Sequence, residues 1–183
     1  MNRFTLVDRA DAEVIGEIDG WLDKIREYLR DFFGGEIEQA RGTQFGDCVS
    51  KVYYLFEIAS AQPNKFRGVR DEFGRLQAGS LIEPYFDYLA VDTFTNSPWN
   101  VLKNQPETLK GAATSLMEEL VKESVELGFG GRIKLIAIER AVVFYTRIGF
   151  TQEEDDSRSL ELTPTAAARF LERQRNRRRS ENQ

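Results

Sequence analysis

Histidine is absent from the chain, and its 183 residues include a single cysteine, Cys48. The lack of histidine excludes Ser-His-Asp and Cys-His catalysis and every histidine-ligated zinc site. One cysteine excludes disulfides within the chain, four-cysteine zinc sites and iron–sulfur clusters held by thiolates of one chain. Proton transfer must therefore fall to Asp, Glu, Tyr, Lys or water, and we expect no metal. Cys48 itself precedes an apolar run, which favours a packed core thiol over a nucleophile.

Long apolar runs are also missing. No stretch approaches the roughly 18 residues that a membrane span requires, and Arg3, Asp8 and Arg9 interrupt any secretory signal at the start. We therefore expect no membrane association and, by default, a cytoplasmic location. With 41% hydrophobic and 30% charged residues, the composition is typical of one globular domain with a core.

The net charge of −5 is distributed unevenly. Residues 1–50 carry six basic and eleven acidic side chains, whereas residues 169–183 carry six arginines and two glutamates. The acidic first third favours a cationic substrate, although a solvated helix face explains it equally well. The basic end fits either an anionic ligand or, more often, a solvated, frayed terminus.

Hydrophobic spacing predicts most of the secondary structure. Apolar residues recur every three or four positions in the helices predicted at residues 14–32, 110–127, 140–148 and 166–178. Strands are predicted at residues 3–7, 51–59, 66–69, 75–82, 85–91, 132–138, 150–154 and 157–162. Early strands follow one another in hairpin order, and the strand at 85–91, the next helix and the strand at 132–138 form a β-α-β unit. The predicted fold class is α/β (α+β), a single domain with a mixed sheet flanked by helices.

Small residues open the helix predicted at 110–127, where residues 108–116 read Thr-Leu-Lys-Gly-Ala-Ala-Thr-Ser-Leu. A helix N-terminus has unpaired N–H groups and a partial positive charge, and small residues let a phosphate approach them closely. Lys110 could add a charge-assisted contact. Small residues also open helices simply to pack against a sheet, so the turn alone leaves both interpretations open.

Two further motifs follow this turn: Ala141-Val-Val-Phe-Tyr145, and Ile148-Gly-Phe150. Together with Gly111-Ala112-Ala113, their order and spacing resemble the GNAT-type N-acetyltransferase superfamily. The resemblance covers roughly residues 51–155, and residues 85–150 carry most of its specificity. Two positions depart from the family pattern: Thr108 stands where Arg or Gln is usual, and Ile138 where Asn often sits.

The resemblance implies that acetyl-coenzyme A is the cosubstrate. It assigns the pyrophosphate to the turn and first helical residues, namely Lys110, Gly111, Ala112, Ala113 and Thr114. It assigns the pantetheine arm to the backbone of a strand at Leu89, Ala90 and Val91, and a further cofactor contact to Phe144. The implied domain organisation is an acyltransferase domain at residues 1–163 and a basic C-terminal helix or tail at residues 164–183.

The resemblance also implies direct attack of a primary amine on the thioester. Tyr145 is the expected acid that protonates the leaving thiolate. Asp87 is the first candidate for the base and Glu83 the second, since strand alternation would place both on one face. The acceptor is a small-molecule or peptide amine, and the residues leave open a small amine, a polyamine, an aminoglycoside-like compound or a protein amine.

Alternatives remain at this point. Thr108 and Ile138 favour a non-catalytic coenzyme A-binding or sensing module on the same fold. A nucleic-acid-binding protein acting through the arginine-rich end is disfavoured by the acidic net charge. Trp99, in a long predicted loop, either lines a substrate cleft or packs as a plug, with the plug favoured. An exposed edge strand near 151–162 would permit a homodimer.

Overall fold

Seven β-strands and seven α-helices follow one another along residues 3–153 and 156–181, the part of the chain that the computed structural model describes. The strands are β1 (Phe4–Val7), β2 (Phe66–Asp71), β3 (Leu76–Pro84), β4 (Leu89–Asn96), β5 (Ile133–Ile136), β6 (Thr151–Glu153) and β7 (Asp156–Leu162). The helices are α1 (Ala12–Phe32), α2 (Ile37–Ala40), α3 (Gln44–Ala61), α4 (Pro98–Val101), α5 (Ala112–Glu126), α6 (Val142–Ile148) and α7 (Pro164–Glu181).

The strands form one sheet in the order β1-β2-β3-β4-β5-β7-β6. β4 and β5 pair in parallel, whereas β1 with β2, β2 with β3, β5 with β7, and β6 with β7 pair antiparallel. The predicted mixed sheet is therefore confirmed, together with its β-α-β unit, which consists of β4, α5 and β5. The predicted hairpin between β2 and β3 is also confirmed, and Gly74 lies in its turn with φ +79°.

The described residues cluster into two compact units, and β3, β4 and α5 contribute residues to both. The N-terminal unit comprises Phe4–Leu81 and Thr93–Leu116; the C-terminal unit comprises Ile82–Asp92 and the described residues from Met117 onward. The predicted division between residues 163 and 164 coincides with the start of α7 and stays a prediction. Among the described residues, no helix combines the length and apolar character needed to cross a membrane.

In the N-terminal unit, α1 begins two residues before the predicted start and ends at the predicted residue, Phe32. The Asp11 carboxylate accepts a hydrogen bond from the Val14 N–H at 2.9 Å and so caps the first turn. At the other end Gly35 adopts φ +83°, and its N–H donates to the Leu29 carbonyl at 2.9 Å. This left-handed residue satisfies a carbonyl of the last turn, which is why the helix ends at the glycine pair.

The predicted strand at residues 51–59 is wrong, because these residues belong to α3. Thr43 caps this helix by accepting from the Gly46 N–H at 3.1 Å. The buried side chains of α3 recur at helical spacing: Phe45, Cys48, Val49, Val52, Leu55 and Ala59. This face packs with α1 in one hydrophobic cluster, whereas Tyr53 and Tyr54 are exposed. Burial of a helical stripe therefore outweighs the β-propensity of the Val-Tyr-Tyr run.

The strand predicted at 85–91 begins four residues later, at Leu89. Pro84 ends β3, and the Tyr85 N–H then donates to the Tyr88 carbonyl at 2.9 Å, which closes a turn. The rings of these two tyrosines stack with centroids 5.1 Å apart. Asp87 therefore lies in a turn, and strand alternation does not place it on one face with Glu83.

In the C-terminal unit, α7 is tied to α5 by a buried ion pair. The Arg178 guanidinium donates to both carboxylate oxygens of Glu118, each at 2.6 Å, and Lys122 lies 3.0 Å from the same carboxylate. The Arg173 guanidinium donates to the Ile148 carbonyl at the end of α6, at 2.6 Å. Two of the arginines that made the C-terminus look like a solvated tail therefore have structural partners.

Two glycines that follow α5 differ in how closely α7 packs against them. Gly128 and Gly131 adopt φ +86° and +90°, but a Cβ at Gly131 would lie 2.6 Å from the Cβ of Ala167, whereas one at Gly128 would meet nothing within 4 Å. We expect Gly128→Ala to lower the free energy of unfolding by about 1 kcal/mol through backbone strain. Gly131→Ala adds a clash and should cost about 2 kcal/mol more. Urea unfolding of both variants measures the difference, and equal losses would contradict the packing.

Candidate active site

A left-handed glycine, Gly111, opens the first turn of α5. Gly111 adopts φ +101°, a conformation that side chains other than glycine rarely tolerate, and its carbonyl accepts the Ser115 N–H at 2.9 Å. Ala112 is buried beneath the turn, whereas Gly111 and Lys110 are exposed. The first turn carries no acidic residue. No carboxylate of the first turn itself therefore offsets the partial positive charge of the helix N-terminus.

Thr108 serves the loop itself. Its hydroxyl donates to the Trp99 carbonyl at 2.8 Å, and the next residue, Leu109, donates its N–H to the Asn100 side-chain oxygen at 2.7 Å. The ring of Trp99 packs edge-on against Trp21 with centroids 6.2 Å apart. The tryptophan is thus a plug, the favoured of its two interpretations. Asn100 carried no prediction, because a single amide in a loop has no periodic signal.

The backbone predicted to bind the pantetheine arm is engaged within the sheet. Leu89, Ala90 and Val91 pair with Ile133, Lys134 and Leu135 of β5, and the Leu89 N–H donates to the Arg132 carbonyl at 3.1 Å. A ligand that added to β4 as an extra strand would compete with this ladder at these residues. Val91 is the last residue of β4 in this register with β5.

The Phe-Tyr and Gly-Phe motifs contact each other at the end of α6 in the C-terminal unit. Gly149 ends α6 with φ +126°, and the N–H groups of Gly149 and Phe150 both donate to the Tyr145 carbonyl at 3.1 Å. The Tyr145 ring makes edge contacts with Phe144 and Phe150, with centroids 5.1 and 5.5 Å away. Its side chain is 4% exposed, and burial raises the pKa of the phenol. Tyr145 therefore keeps its proton at neutral pH.

The two predicted bases lie in different settings. Asp87 is exposed in the turn before β4, and its carboxylate is ion-paired with Arg132, which also donates to Glu161 at 2.5 Å. Glu83 is an exposed residue near the end of β3. The carboxylate of Asp87 is thus already engaged in an ion pair with Arg132, whereas Glu83 lies at the end of a strand.

One half-buried amine was missed entirely, because its segment was expected to be a strand. Lys51 of α3 donates to the Phe94 carbonyl of β4 at 3.2 Å, and burial lowers the pKa of its ammonium. One turn earlier, Cys48 is 3% exposed, and burial raises the pKa of its thiol to about 11. A thiol with so high a pKa is a poor nucleophile, in agreement with the predicted core role.

No protein-family model and no curated protein matches the sequence. Solved structures do match. The PaiA N-acetyltransferase from Thermoplasma acidophilum in complex with coenzyme A gives a TM-score of 0.51 at 14% identity, over 86% of this chain and 96% of that chain. An acetyltransferase of the GNAT family from Staphylococcus aureus Mu50 gives 0.51 at 11% identity, over 88% and 99% of the two chains.

The catalytic domain of the Tetrahymena GCN5 histone acetyltransferase in complex with coenzyme A also gives a TM-score of 0.51, at 12% identity, over 88% of this chain and 92% of that chain. These structural matches establish a shared fold, whereas identities this low leave the reaction open. They agree with the seven-stranded, mostly antiparallel sheet and its β4-α5-β5 unit. The chain therefore has the GNAT-type N-acetyltransferase fold.

Proposed function

We propose that this chain transfers an acetyl group from acetyl-coenzyme A to a primary amine. The observation that carries the proposal is the first turn of α5, where Gly111 opens a helix whose first turn holds no carboxylate. The coenzyme A complexes among structures of the same fold add support. The residues assigned to the pyrophosphate are Lys110, Gly111, Ala112, Ala113 and Thr114.

In the proposed reaction the neutral amine nitrogen attacks the thioester carbonyl carbon. A C–N bond forms, the C–S bond breaks, and coenzyme A leaves as a thiolate that takes up a proton. The amine loses one proton to a base, directly or through water. Negative charge develops on the thioester oxygen, where a backbone N–H of β4 would stabilise it.

Tyr145 supplies a hydrogen bond to the leaving sulfur in this scheme. Burial holds its pKa above the ordinary value of 10.0, whereas a thiol has a pKa of about 8.5. Complete proton transfer from the phenol to the thiolate is therefore uphill, and donation of a hydrogen bond is the larger contribution. Solvent can deliver the proton after the C–S bond has broken.

Asp87 and Glu83 remain the candidate bases, and the acceptor is a small-molecule or peptide amine. One observation favours a second function, a non-catalytic coenzyme A-binding module. Thr108 stands where the family pattern has Arg or Gln, and its hydroxyl donates to the Trp99 carbonyl. Release of free thiol from acetyl-coenzyme A in the presence of amines separates the two functions, because a binding module would release none.

Calorimetric titration with acetyl-coenzyme A tests the proposal first. We expect the wild-type chain to bind at micromolar concentration and Gly111→Ala to bind about 10-fold more weakly, since a side chain at φ +101° distorts the turn. Gly128→Ala is the matched control, because Gly128 also has a positive φ and an open Cβ position but lies beyond the other end of α5. No binding up to about 1 mM, a free energy weaker than roughly −4 kcal/mol, would remove the proposal.

A further inference from the structure

A series of hydrogen-bonded polar side chains runs through the N-terminal unit and ends at the loop before α5. It begins at Asp71, whose carboxylate accepts from the backbone N–H groups of Phe73 and Arg75 at 3.0 and 2.9 Å and from the Arg75 side chain at 3.0 Å. The same carboxylate accepts from the Gln77 side-chain nitrogen at 2.8 Å. Gln77 is 0% exposed. A buried amide of this kind must find partners for both its oxygen and its nitrogen.

The carboxylate of Asp71 decides which way each amide in the chain faces. An ionised carboxylate only accepts, so the nitrogen of Gln77 must point toward it and the oxygen away from it. That oxygen accepts from Asn100 Nδ2 at 2.8 Å and from Trp99 Nε1 at 3.1 Å. The oxygen of Asn100 then faces the loop, where it accepts the Leu109 N–H at 2.7 Å. Every donor in the series therefore points back toward Asp71.

Leu109 lies two residues before Gly111, so the chain of amides holds the approach to α5. Thr108 adds a second tie through the Trp99 carbonyl. Between α4 and α5 the backbone has no regular structure, and Asn104 adopts φ +64°. A loop of this kind costs conformational entropy to order, unless side chains have ordered it before a ligand arrives.

We propose that Asn100, oriented by Asp71 through Gln77, is a positioning residue that fixes residues 108–111 to receive the diphosphate of coenzyme A. The inference rests on the proposed function. It also explains why Thr108 can replace the Arg or Gln of the family pattern. A loop that buried side chains have already ordered depends less on a long side chain that contacts the phosphate. The affinity then comes from backbone N–H groups held in place, and Asn100 itself makes no contact with the ligand.

The test compares ligands with and without the diphosphate. Asn100→Ala removes the acceptor for Leu109, and Gln77→Glu places a second carboxylate beside Asp71 and disturbs the series from its far end. Calorimetry would measure binding of acetyl-coenzyme A and of acetyl-pantetheine, which lacks the diphosphate. We expect both variants to bind acetyl-coenzyme A about 10-fold more weakly, with the affinity for acetyl-pantetheine unchanged.

Gln105→Ala is the matched control. Its amide lies in the same loop but donates only locally, to the Lys103 carbonyl at 3.2 Å, so its loss should leave both affinities as in the wild type. Hydrogen exchange of the Leu109 amide gives a readout that needs no ligand. We expect exchange about 10-fold faster in Asn100→Ala, with the amides of α1 still protected if the variant remains folded.

The outcomes are distinguishable. Equal weakening of both ligands, or unchanged affinity despite faster exchange at Leu109, would contradict the positioning role while leaving the proposed function intact. A wild-type chain that binds neither ligand would contradict the proposed function, and the proposed binding of the diphosphate by residues 108–111 would fall with it. Selective loss of acetyl-coenzyme A affinity, together with faster exchange at Leu109, supports the inference.

Discussion

Replacing Tyr145 with phenylalanine is expected to lower the turnover of acetyl transfer about 100-fold, within the range typical of a lost hydrogen-bond donor to developing negative charge. The substitution removes one oxygen and keeps the ring that packs between Phe144 and Phe150. The affinity for acetyl-coenzyme A should therefore stay close to that of the wild type. Steady-state thiol release gives the turnover, and calorimetry gives the affinity.

Tyr53→Phe is the control, since Tyr53 is an exposed tyrosine on α3. Unchanged turnover in Tyr145→Phe would remove the catalytic role and leave the residue as a packed aromatic. A loss of turnover that accompanies lower thermal stability and weaker cosubstrate binding would also indicate packing rather than hydrogen-bond donation.

The raised pKa of Tyr145 gives this prediction a pH signature. Because the folded-state pKa lies above the unfolded value of about 10, the stabilising contribution of the neutral phenol is complete below pH 10 and is lost as pH rises through the folded pKa. The rate should show no ionisation of Tyr145 below pH 10. An alkaline loss of activity below pH 10 that disappears in Tyr145→Phe would contradict the burial of the hydroxyl.

The second large effect concerns stability. Arg178→Met is expected to lower the free energy of unfolding by about 3 kcal/mol, because it leaves the Glu118 carboxylate buried with only Lys122 as partner. The side chain of Glu118 is 5% exposed, so the carboxylate is poorly hydrated when it loses the guanidinium. Urea unfolding at pH 7 measures the loss. Arg179→Met is the control: it alters the next arginine, whose side chain is exposed.

The pH dependence of this loss follows from Glu118. Burial acts to raise the pKa of its carboxyl, but hydrogen bonds from Arg178 and Lys122 outweigh burial and lower the pKa below the ordinary 4.5. The ion pair thus stabilises the fold above pH 4.5, and this stabilisation is lost as pH falls through the folded pKa. The difference between wild type and Arg178→Met should shrink on acidification. A difference independent of pH would mean that Arg178 contributes through packing alone.

Local signals predicted those elements whose ends are set by nearby residues. α1 begins after the carboxylate cap of Asp11 and ends at Phe32, just before the pair Gly34-Gly35, and α5 begins after Gly111. The Gly-Phe motif likewise ends α6 through bonds to the Tyr145 carbonyl. In each case the decisive hydrogen bonds lie within about six residues, so the residue types and their spacing were sufficient.

The wrong predictions arose where neighbours decide. Residues 51–59 have strand propensity, yet they form a helix because Val52 and Leu55 are buried against α1 in one cluster. Residues 85–88 look like part of a strand, but stacking of Tyr85 on Tyr88 accompanies a turn. Asp87 therefore lies in this turn and not in the strand, and its carboxylate pairs with Arg132, a residue 45 positions away.

By itself the amino-acid sequence determined which chemistries are open, since a chain without histidine and with one cysteine cannot build the usual nucleophilic or zinc sites, and it marked the small-residue turn and the aromatic motifs. Only the tertiary structure decided what their neighbours do. It brought the half-buried amine of Lys51 to the Phe94 carbonyl of β4, placed Leu89 to Val91 in a ladder with β5, and joined Asp71, Gln77 and Asn100 to the loop before α5. The physical reason is distance: these contacts join residues far apart in the chain, and their strength comes from burial, which no local pattern reports.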